Sequence, residues 1–242
     1  MLAESNKIAI GIIPARLYST RFPKKILADI CGKPMVICTA EAAAKSKLLS
    51  RIIIAIDDEE TFHYLKNFNF ETVMTSKLHQ SGTDRIAEVV SKLDVVDIII
   101  NIQADEPFIN HLEIDELVKS FNDSNVNIST LVSTKISTEQ LKDKNIVKAI
   151  LDKNGWAIDF KRILDEFSSN YFVYKHIGIY GFTKDTLMKF VLLPQSSNEK
   201  QDSLEQMRAI DNNIRIKAVI TDLDMLAINT QEEYLMIRRM SR

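Results

Sequence analysis

The chain has few glycines and prolines, the residues that interrupt regular structure: its 242 residues include six and five of them. It also has only two cysteines. The two cysteines, Cys31 and Cys38, lie close together and match no zinc motif, and we expect them to be buried or half-buried thiols in a reducing compartment. No apolar run approaches the roughly 20 residues that a membrane-spanning helix requires. The N-terminus has neither the hydrophobic core nor the cleavage site of a signal peptide. We therefore expect a cytoplasmic protein without membrane insertion.

An excess of positive charge is also missing. Lysine and arginine total 31 and aspartate and glutamate 33, which gives a formal net charge of −2. Proteins that bind nucleic acid normally present a broad basic surface, so nucleic acid is not a predicted partner. A chain that is 45% hydrophobic and of this length can bury the core of one substantial domain.

The first half alternates short apolar runs with longer amphipathic segments. Residues Ile8 to Ile13, Arg51 to Ile56 and Asp97 to Ile102 are rich in β-branched side chains and predict buried strands. Gly82 to Leu93 has its apolar residues at helical spacing. This alternation continues to about residue 120 and predicts an α/β fold with a mostly parallel central sheet and helices on both faces.

The second half reads instead as strands joined by turns, which predicts an antiparallel insertion. The predicted strands are Ser129 to Val132, Val147 to Leu151, Trp156 to Phe160 and Tyr171 to Phe182. A helix is predicted over roughly Glu199 to Asp211. Within it the segment LEQMR, residues 204 to 208, places Leu204 and Met207 inward, and by spacing alone its other residues form a solvated helix face.

A basic loop follows the first predicted strand in the run IIPARLYSTRFPKK. Arg16, Arg21, Lys24 and Lys25 lie in it, and no acidic residue occurs between Ile13 and Asp29. Ligands of open α/β sheets bind beyond the carboxyl ends of the strands, and arginine and lysine suit phosphate oxygens. The chain has neither a Walker motif nor G-x-G-x-x-G. We favour a phosphate-binding loop over the alternative of a merely exposed basic loop.

Two further polar segments follow the same pattern. Asp105 comes directly after the strand-like run DIIINIQ, where a carboxylate is well placed to hold Mg²⁺ beside a polyphosphate. The alternative, a helix cap, fits less well because the next helix begins near His111. In HQSGTDR, Ser81 or Thr83 is either a helix N-cap or part of a binding site, and the two roles are compatible.

The segment KHIGIYGF places His176 and Tyr180 on one face of a predicted strand and Ile177 and Ile179 on the other. A single histidine in a strand is more often structural than catalytic. A histidine and a tyrosine on one face, however, suit the recognition of a polar substrate.

These segments together resemble the 3-deoxy-manno-octulosonate cytidylyltransferases, also called CMP-Kdo synthetases. The resemblance rests on seven segments in order: IGIIPARLYSTRFPKKILADICGKPM, IIIAIDDEE, HQSGTDRIAEVV, IIINIQADEPFI, KAILDKNGWAIDFKR, YKHIGIYGF and LEQMRAI. It implies a nucleotide-diphospho-sugar transferase-like fold. It also implies a reaction in which Kdo or a close ulosonic acid attacks CTP to form the CMP-sugar and pyrophosphate, for lipopolysaccharide biosynthesis.

The resemblance further implies Mg²⁺ as the cofactor and a homodimer as the assembly. We expect one cytidylyltransferase domain over residues 1–242, with a nucleotide-binding half at about 1–125 and a sugar-acid and dimerisation half at about 126–242.

Residue by residue, the family's motifs imply roles for the following positions. The catalytic residues are Lys25 and Asp105. The nucleotide-binding residues are Arg16, Ser19, Arg21, Lys25, Ser81, Gly82 and Gln103. The sugar-binding residues are Arg85, Arg162, His176, Tyr180, Glu205 and Gln206. The metal ligands are Asp105 and Asn229.

The chain departs from the family pattern at several positions. Lys24 and Ala104 replace usual glycines, which predicts a stiffer backbone at both places. The segment ILDEFSSN replaces a usual proline-aromatic pair, and Asn229 replaces an aspartate of the metal site. Two alternatives to an active Kdo enzyme therefore remain. One is a divergent paralogue that binds nucleotide or sugar acid without efficient turnover, and the other is a cytidylyltransferase for an amino-substituted or nine-carbon ulosonate.

Overall fold

The structure is a computed structural model that describes residues 7–18, 22–30, 32–164, 171–224, 227–228 and 230–240. Within these ranges no helix is long and apolar enough to cross a membrane. The described residues form two compact units. The first belongs to the ranges Met1–Asp115 and Met225–Arg242, and the second to Glu116–Asp224.

The strands of the described chain are β1 Ala9–Ala15, β2 Asp29–Ile30, β3 Lys33–Pro34, β4 Leu49–Ile56, β5 Glu71–Met74, β6 Ile98–Asn101, β7 Ile128–Ser133, β8 Lys148–Leu151, β9 Ala157–Lys161, β10 Phe172–Thr183 and β11 Ile216–Thr221. The helices are α1 Met35–Ala43, α2 Glu59–Leu65, α3 Gly82–Val90, α4 His111–Lys119, α5 Thr138–Lys142, α6 Lys184–Phe190, α7 Ser197–Asp202, α8 Met207–Asp211 and α9 Gln231–Met240. Short 3₁₀ turns cover Lys25–Leu27 and Ser120–Asn122.

The first unit is built on a parallel sheet in the order β6, β1, β4, β5. Its central strands are buried because their side chains are apolar on both faces. Ile12 and Ile13 of β1 and Ile53 and Ile54 of β4 are all 0% exposed. Helices α1, α2 and α3 pack against these strands. Parallel strands require such crossover helices, so the alternation seen in the sequence produces this arrangement.

The second unit carries the antiparallel part that the sequence predicts. Strand β10 pairs antiparallel with β7 and with β8, and β8 pairs antiparallel with β9, while β11 runs parallel to β7. The turn between β8 and β9 ends at Gly155, whose φ of 76° lies in the left-handed region that glycine adopts without strain. The two units together confirm the α/β class with a mostly parallel sheet.

The prediction of one helix from Glu199 to Asp211 is wrong. The structure has two short helices, α7 and α8, and the residues between them form a turn. Ser203 ends α7 in the left-handed conformation, with φ 53° and ψ 50°, which a continuing right-handed helix excludes. Neither glycine nor proline marks this break. Gln206 and Arg208, predicted on a solvated face, are only 8% and 4% exposed.

Candidate active site

The polar segments of the first unit gather at the carboxyl ends of three parallel strands. Arg16 and Leu17 follow β1, Asp57 follows β4, and Gln103 follows β6. These strands are neighbours in the order β6, β1, β4, so their carboxyl ends share one edge of the sheet. Arg16 is exposed there, as a side chain that binds an anion must be. This edge is the place where open α/β sheets bind ligands.

The basic loop and the strand-end carboxylate are in direct contact. Lys25 Nζ donates a hydrogen bond of 2.5 Å to Asp105 Oδ2, and both side chains are mostly buried. Lys25 reaches this position because Lys24, the residue before it, takes a left-handed conformation with φ 54°. The structure thus brings together the two residues predicted to be catalytic, one cation for a phosphate and one carboxylate for a metal.

A second carboxylate at the same edge is bonded to the start of the basic loop. Asp57 Oδ1 accepts a hydrogen bond from the backbone N–H of Leu17 at 3.1 Å, and Asp57 Oδ2 accepts one from Arg85 Nη2 at 2.9 Å. The sequence places Asp57 at a strand end but does not reveal this role. Its partners are 40 and 28 residues away along the chain, and no local spacing links them.

Arg85 is held inside this network. Its side chain on α3 is 4% exposed, and besides Asp57 its guanidinium donates to Thr75 Oγ1 at 2.5 Å and to the Ser76 carbonyl at 3.4 Å. Thr75 Oγ1 in turn donates to the Ile56 carbonyl at the end of β4. Arg85 therefore links α3 to the ends of β4 and β5. Its predicted role as a partner of the sugar carboxylate stays a prediction.

Ser81 is the N-cap of α3. Its hydroxyl accepts a hydrogen bond from Asp84 N–H, and the Asp84 carboxylate accepts one from Ser81 N–H, which completes a capping box. Gly82 lies against the end of β1, since a Cβ added there would come within 3.1 Å of Pro14 Cγ. The close approach of α3 to β1 thus places the predicted nucleotide-binding pair Ser81 and Gly82 beside the origin of the basic loop. Thr83, the alternative cap, is buried.

The remaining predicted residues of the first unit divide into described and undescribed ones. Gln103 donates its side-chain amide to Asn101 Oδ1 at 3.0 Å, which orients it at the end of β6. Ile228 N–H bonds the backbone carbonyl of Asp105 at 2.9 Å. Ser19, Arg21 and Asn229 lie outside the described residues. Within the described ranges no group of three or more histidine, cysteine, aspartate or glutamate side chains could hold a metal ion.

The second unit holds an aromatic cluster around His176. Its ring lies 5.1 Å from Phe160 and 5.4 Å from Tyr180, measured between ring centroids, and its Nε2 is 3.1 Å from Thr130 Oγ1. His176 and Tyr180 therefore share one face of β10, as the alternation predicts. Burial lowers the pKa of His176 to about 3, so the imidazole is neutral at physiological pH.

Two further buried polar atoms of the second unit have no hydrogen-bond partner within the described residues. They are the hydroxyl of Tyr180 and the side-chain nitrogen of Gln206. Burial and then the nearby Glu205 carboxylate raise the pKa of Tyr180 well above its usual value, so the hydroxyl keeps its proton as a donor. Buried polar groups are nearly always satisfied, and the exceptions at Tyr180 and at Gln206, the residue after Glu205, indicate a place for a polar ligand.

Two arginines of the second unit hold the surrounding turns. Arg162 donates from Nε to the Asp202 carbonyl at 2.5 Å and from Nη2 to the Ser203 carbonyl at 3.1 Å, across the end of α7. Arg208 forms a buried two-pronged ion pair with Glu199 at 2.6 and 2.8 Å. Both contacts fix the turn that carries Glu205 and Gln206. Arg162, predicted to bind sugar, is thus committed mainly to backbone carbonyls, and its ligand role stays a prediction.

A strand-end basic loop beside a carboxylate, on a parallel sheet, is the arrangement of a nucleotide-binding α/β protein. Comparison with known proteins identifies the class: residues 10–216 match the family model described as Cytidylyltransferase. The curated 3-deoxy-manno-octulosonate cytidylyltransferase of Thermodesulfovibrio yellowstonii is 41% identical over 93% of this chain and 95% of its own length. That of Chloroherpeton thalassium is 39% identical over 95% and 96%. The chain belongs to the 3-deoxy-manno-octulosonate cytidylyltransferase family.

Solved structures agree with this assignment. A structure of CMP:2-keto-3-deoxy-manno-octonic acid synthetase complexed with CTP superposes with a TM-score of 0.91 at 31% identity, covering 97% of this chain and 98% of the other. A cytidylyltransferase from Leptospira borgpetersenii, at 16% identity and a TM-score of 0.65, shares the fold alone. The predicted family and fold are therefore confirmed.

Proposed function

We propose that the protein transfers the cytidylyl group of CTP to 3-deoxy-manno-octulosonate, for lipopolysaccharide biosynthesis as its family resemblance implies. The anomeric hydroxyl of the sugar forms a new bond to the α-phosphorus, the bond from that phosphorus to the β-phosphate oxygen breaks, and pyrophosphate leaves. The hydroxyl proton is released. The observation that carries this proposal is the pair of unpartnered buried donors, Tyr180 and Gln206, in a chain whose other unit pairs Lys25 with Asp105 at a sheet edge.

CTP is proposed to bind at the strand-end edge of the first unit. Arg16 and Lys25 contribute charge to the triphosphate, together with Arg21 and Ser19 of the same loop. Ser81, Gly82 and Gln103 line the nucleoside. The capped start of α3 supports this assignment, because the first N–H groups of a helix are free to bond an anion or a base edge.

A divalent cation, proposed as Mg²⁺, is compatible with the residues present. Mg²⁺ in nucleotide sites takes one or two carboxylates together with phosphate oxygens, and Asp105 provides one carboxylate at the sheet edge. Ile228, the neighbour of Asn229 in the sequence, bonds the Asp105 backbone. We therefore propose Asp105 and Asn229 as ligands. The ion would neutralise the charge that develops on the leaving pyrophosphate.

The ulosonic acid is proposed to bind in the second unit. Tyr180 donates its hydroxyl and Gln206 its amide to sugar oxygens, and Glu205 accepts from sugar hydroxyls. His176, neutral at physiological pH, can accept or donate one hydrogen bond there. Arg162 is proposed by family resemblance to pair with the sugar carboxylate, although its guanidinium group already has backbone partners.

A homodimer acting in the cytoplasm completes the proposal. Four large apolar side chains of the second unit are between 38% and 52% exposed around β9 and β10: Ile158, Ile163, Tyr171 and Phe172. An exposed apolar group of this kind fits a second copy of the chain. Light scattering of the purified protein distinguishes a monomer from a dimer.

The test of the activity is pyrophosphate release with CTP, Mg²⁺ and a panel of ulosonic acids. The proposal expects release with 3-deoxy-manno-octulosonate and none when the sugar is omitted. Faster release with an amino-substituted or nine-carbon ulosonate would reassign the substrate. CTP binding without release for any sugar acid would favour the non-catalytic paralogue. Calorimetry on Arg16→Ala and Lys25→Ala checks the loop, since each substitution removes a charge and should weaken CTP binding.

A further inference from the structure

We propose that Asp57 is a positioning residue for CTP, which sets the direction of the basic loop and the start of α3 together, with Arg85 as its partner. This inference rests on the proposed binding of CTP at the first unit. It also gives Arg85 a role different from the one that family resemblance implies.

The geometry that supports this inference is a network joining four segments. One Asp57 oxygen bonds the backbone N–H of Leu17, the residue after Arg16, and the other bonds Arg85 on α3. Arg85 also donates to Thr75 and to Ser76, which follow β5. Because a backbone N–H rather than a side chain is bonded, Asp57 fixes the main chain from which Arg16 projects.

The same network fixes the second part of the proposed nucleotide site. Arg85 lies three residues after Gly82 on α3, one turn of helix from the capped start. A bond from Asp57 to Arg85 therefore sets the distance between the basic loop and Ser81. Gly82 also lies close to Pro14 of β1, which brings the start of α3 near the strand that leads into the basic loop. A substitution of Asp57 should therefore alter the positions of the basic loop and of the start of α3 together.

Burial explains why Arg85 acts through Asp57 and not by touching a ligand. Its side chain is 4% exposed, and its guanidinium contacts Asp57, Thr75 and Ser76. A side chain this buried offers a ligand little surface, and moving the guanidinium outward to a sugar carboxylate would break a buried ion pair, which is strongly unfavourable. The two roles predict opposite substrate dependences, which makes them separable by experiment.

The experiment compares Asp57→Ala and Arg85→Lys with a control ion pair between β4 and β5. Arg51 on β4 and Glu71 on β5 form an exposed ion pair of 2.6 Å at the amino ends of these strands, away from the loop. Arg51→Lys and Glu71→Ala therefore change an arginine and an acidic residue without touching the network. Calorimetry measures CTP binding without sugar, at a temperature well below the unfolding midpoint of every variant. Steady-state kinetics then measure KM for each substrate and kcat.

Asp57→Ala is expected to weaken CTP binding about tenfold, the loss that removal of one hydrogen bond to a charged group produces. Its KM for the ulosonic acid should stay within about twofold of wild type, and kcat at saturating CTP should fall less than the CTP affinity does. Hydrogen exchange of the peptide containing Leu17 should become faster. Neither control variant should change any of these quantities. Asp57→Asn, which keeps one oxygen for Leu17, should lie between wild type and Asp57→Ala.

Unchanged CTP affinity in folded Asp57→Ala overturns the inference, as does an increase in sugar KM alone for Arg85→Lys. If Asp57→Ala does not fold, Asp57→Asn and Arg85→Lys decide the matter by the same measurements. CTP binding is measured without sugar, so a wild type that binds CTP and transfers nothing overturns the proposed function and leaves the role of Asp57 testable.

Discussion

Lys25 Nζ and Asp105 Oδ2 lie 2.5 Å apart, so the cation proposed for phosphate and the carboxylate proposed for metal neutralise each other. To bind, a metal ion must take Asp105 away from Lys25, and a phosphate must take Lys25 away from Asp105. Metal at Asp105 leaves Lys25 without its counter-ion unless a phosphate takes its place. Metal and CTP are therefore expected to bind with positive coupling.

Substitution of Lys25 tests this coupling. Lys25→Met frees Asp105 from its ion pair, so Mn²⁺ should bind several-fold more tightly in the absence of CTP, as measured by the loss of free Mn²⁺ signal in electron paramagnetic resonance. The increase in Mn²⁺ affinity that CTP causes should be smaller in Lys25→Met than in wild type. Lys24→Met is the control, since it removes a neighbouring positive charge and leaves the Lys25–Asp105 pair in place. Equal Mn²⁺ affinity in wild type and Lys25→Met contradicts the coupling.

The unpartnered hydroxyl of Tyr180 predicts opposite effects on stability and activity. Tyr180→Phe removes a buried polar group that has no partner among the described residues, so the free energy of unfolding should rise by about 1 kcal/mol. The KM for the ulosonic acid should increase about tenfold, since a donor to the ligand is lost.

A second tyrosine gives the matched control for this change. Tyr234 donates its hydroxyl to the Asp29 carbonyl at 2.9 Å, so Tyr234→Phe should lower the free energy of unfolding by about 1 kcal/mol. Urea denaturation measures both variants. A loss of stability in Tyr180→Phe equal to that in Tyr234→Phe would show that Tyr180 has a protein partner.

The lowered pKa of His176 predicts that the free energy of unfolding decreases in mild acid. Its pKa is about 3 in the folded protein because of burial, below the ordinary value of 6.5. Between these values the unfolded chain binds a proton that the folded protein does not, so stability falls as the pH drops below 6.5. From pH 7 to pH 5 the loss is about 2 kcal/mol.

His176→Gln should remove most of this pH dependence, whereas His63→Gln, at an exposed position, should leave it unchanged. Denaturant titrations at pH 7, 6 and 5 make the comparison above the range in which most carboxylates titrate. A His176→Gln variant with the pH dependence of wild type would assign the acid sensitivity to another group.

The left-handed conformation of Lys24 predicts that a glycine at this position makes the protein more stable. A left-handed conformation costs a residue with a side chain roughly 1 kcal/mol, and glycine avoids that cost while losing somewhat more chain entropy on folding. Lys24→Gly should raise the free energy of unfolding by about 0.5 kcal/mol. Lys24→Ala removes the same charge but keeps the strain, so it should give no such gain. Urea denaturation that ranks alanine at or above glycine contradicts the explanation.

The amide of Asn229, at the position proposed as a metal ligand, predicts that the enzyme needs a high Mg²⁺ concentration. A carboxylate binds a hard dication better than an amide oxygen does, so Asn229→Asp should lower the Mg²⁺ concentration needed for half the maximal rate. A wild type that already reaches half its rate at low Mg²⁺ would show that another acid has taken this role. Asp222 and Asp224, the nearest acids in the sequence before it, are the candidates for substitution in that case.

The parts of the fold that the sequence predicts are those encoded by local pattern. The isoleucine-rich strands β1, β4 and β6 and the capped helix α3 appear within a few residues of their predicted bounds, because apolar period and N-cap chemistry act over short distances. The break at Ser203 could not be foreseen. No glycine or proline occurs there, and the left-handed serine accompanies contacts with Arg162, 41 residues away.

The site divides in the same way. The strand-end positions of Arg16, Asp57 and Gln103 follow from strand order in a parallel sheet. The partners of Asp57 do not, since side-chain pairing between distant segments depends on the packed structure. Lys24 is an intermediate case: the family pattern implied by the resemblance has glycine there, which signals an unusual backbone, and the structure shows the positive φ.

Lys148 shows how a single buried ammonium group can make part of the second unit cooperative. Its side chain is 0% exposed, burial lowers its pKa, and its Nζ donates to the carbonyls of Asp143, Ile146 and Arg162. Each carbonyl offsets only a fraction of the dehydration of the charge. Opening one of these segments would leave the ammonium under-solvated, so the segments on both sides of β8 and β9 should exchange their amide hydrogens as one unit and not turn by turn.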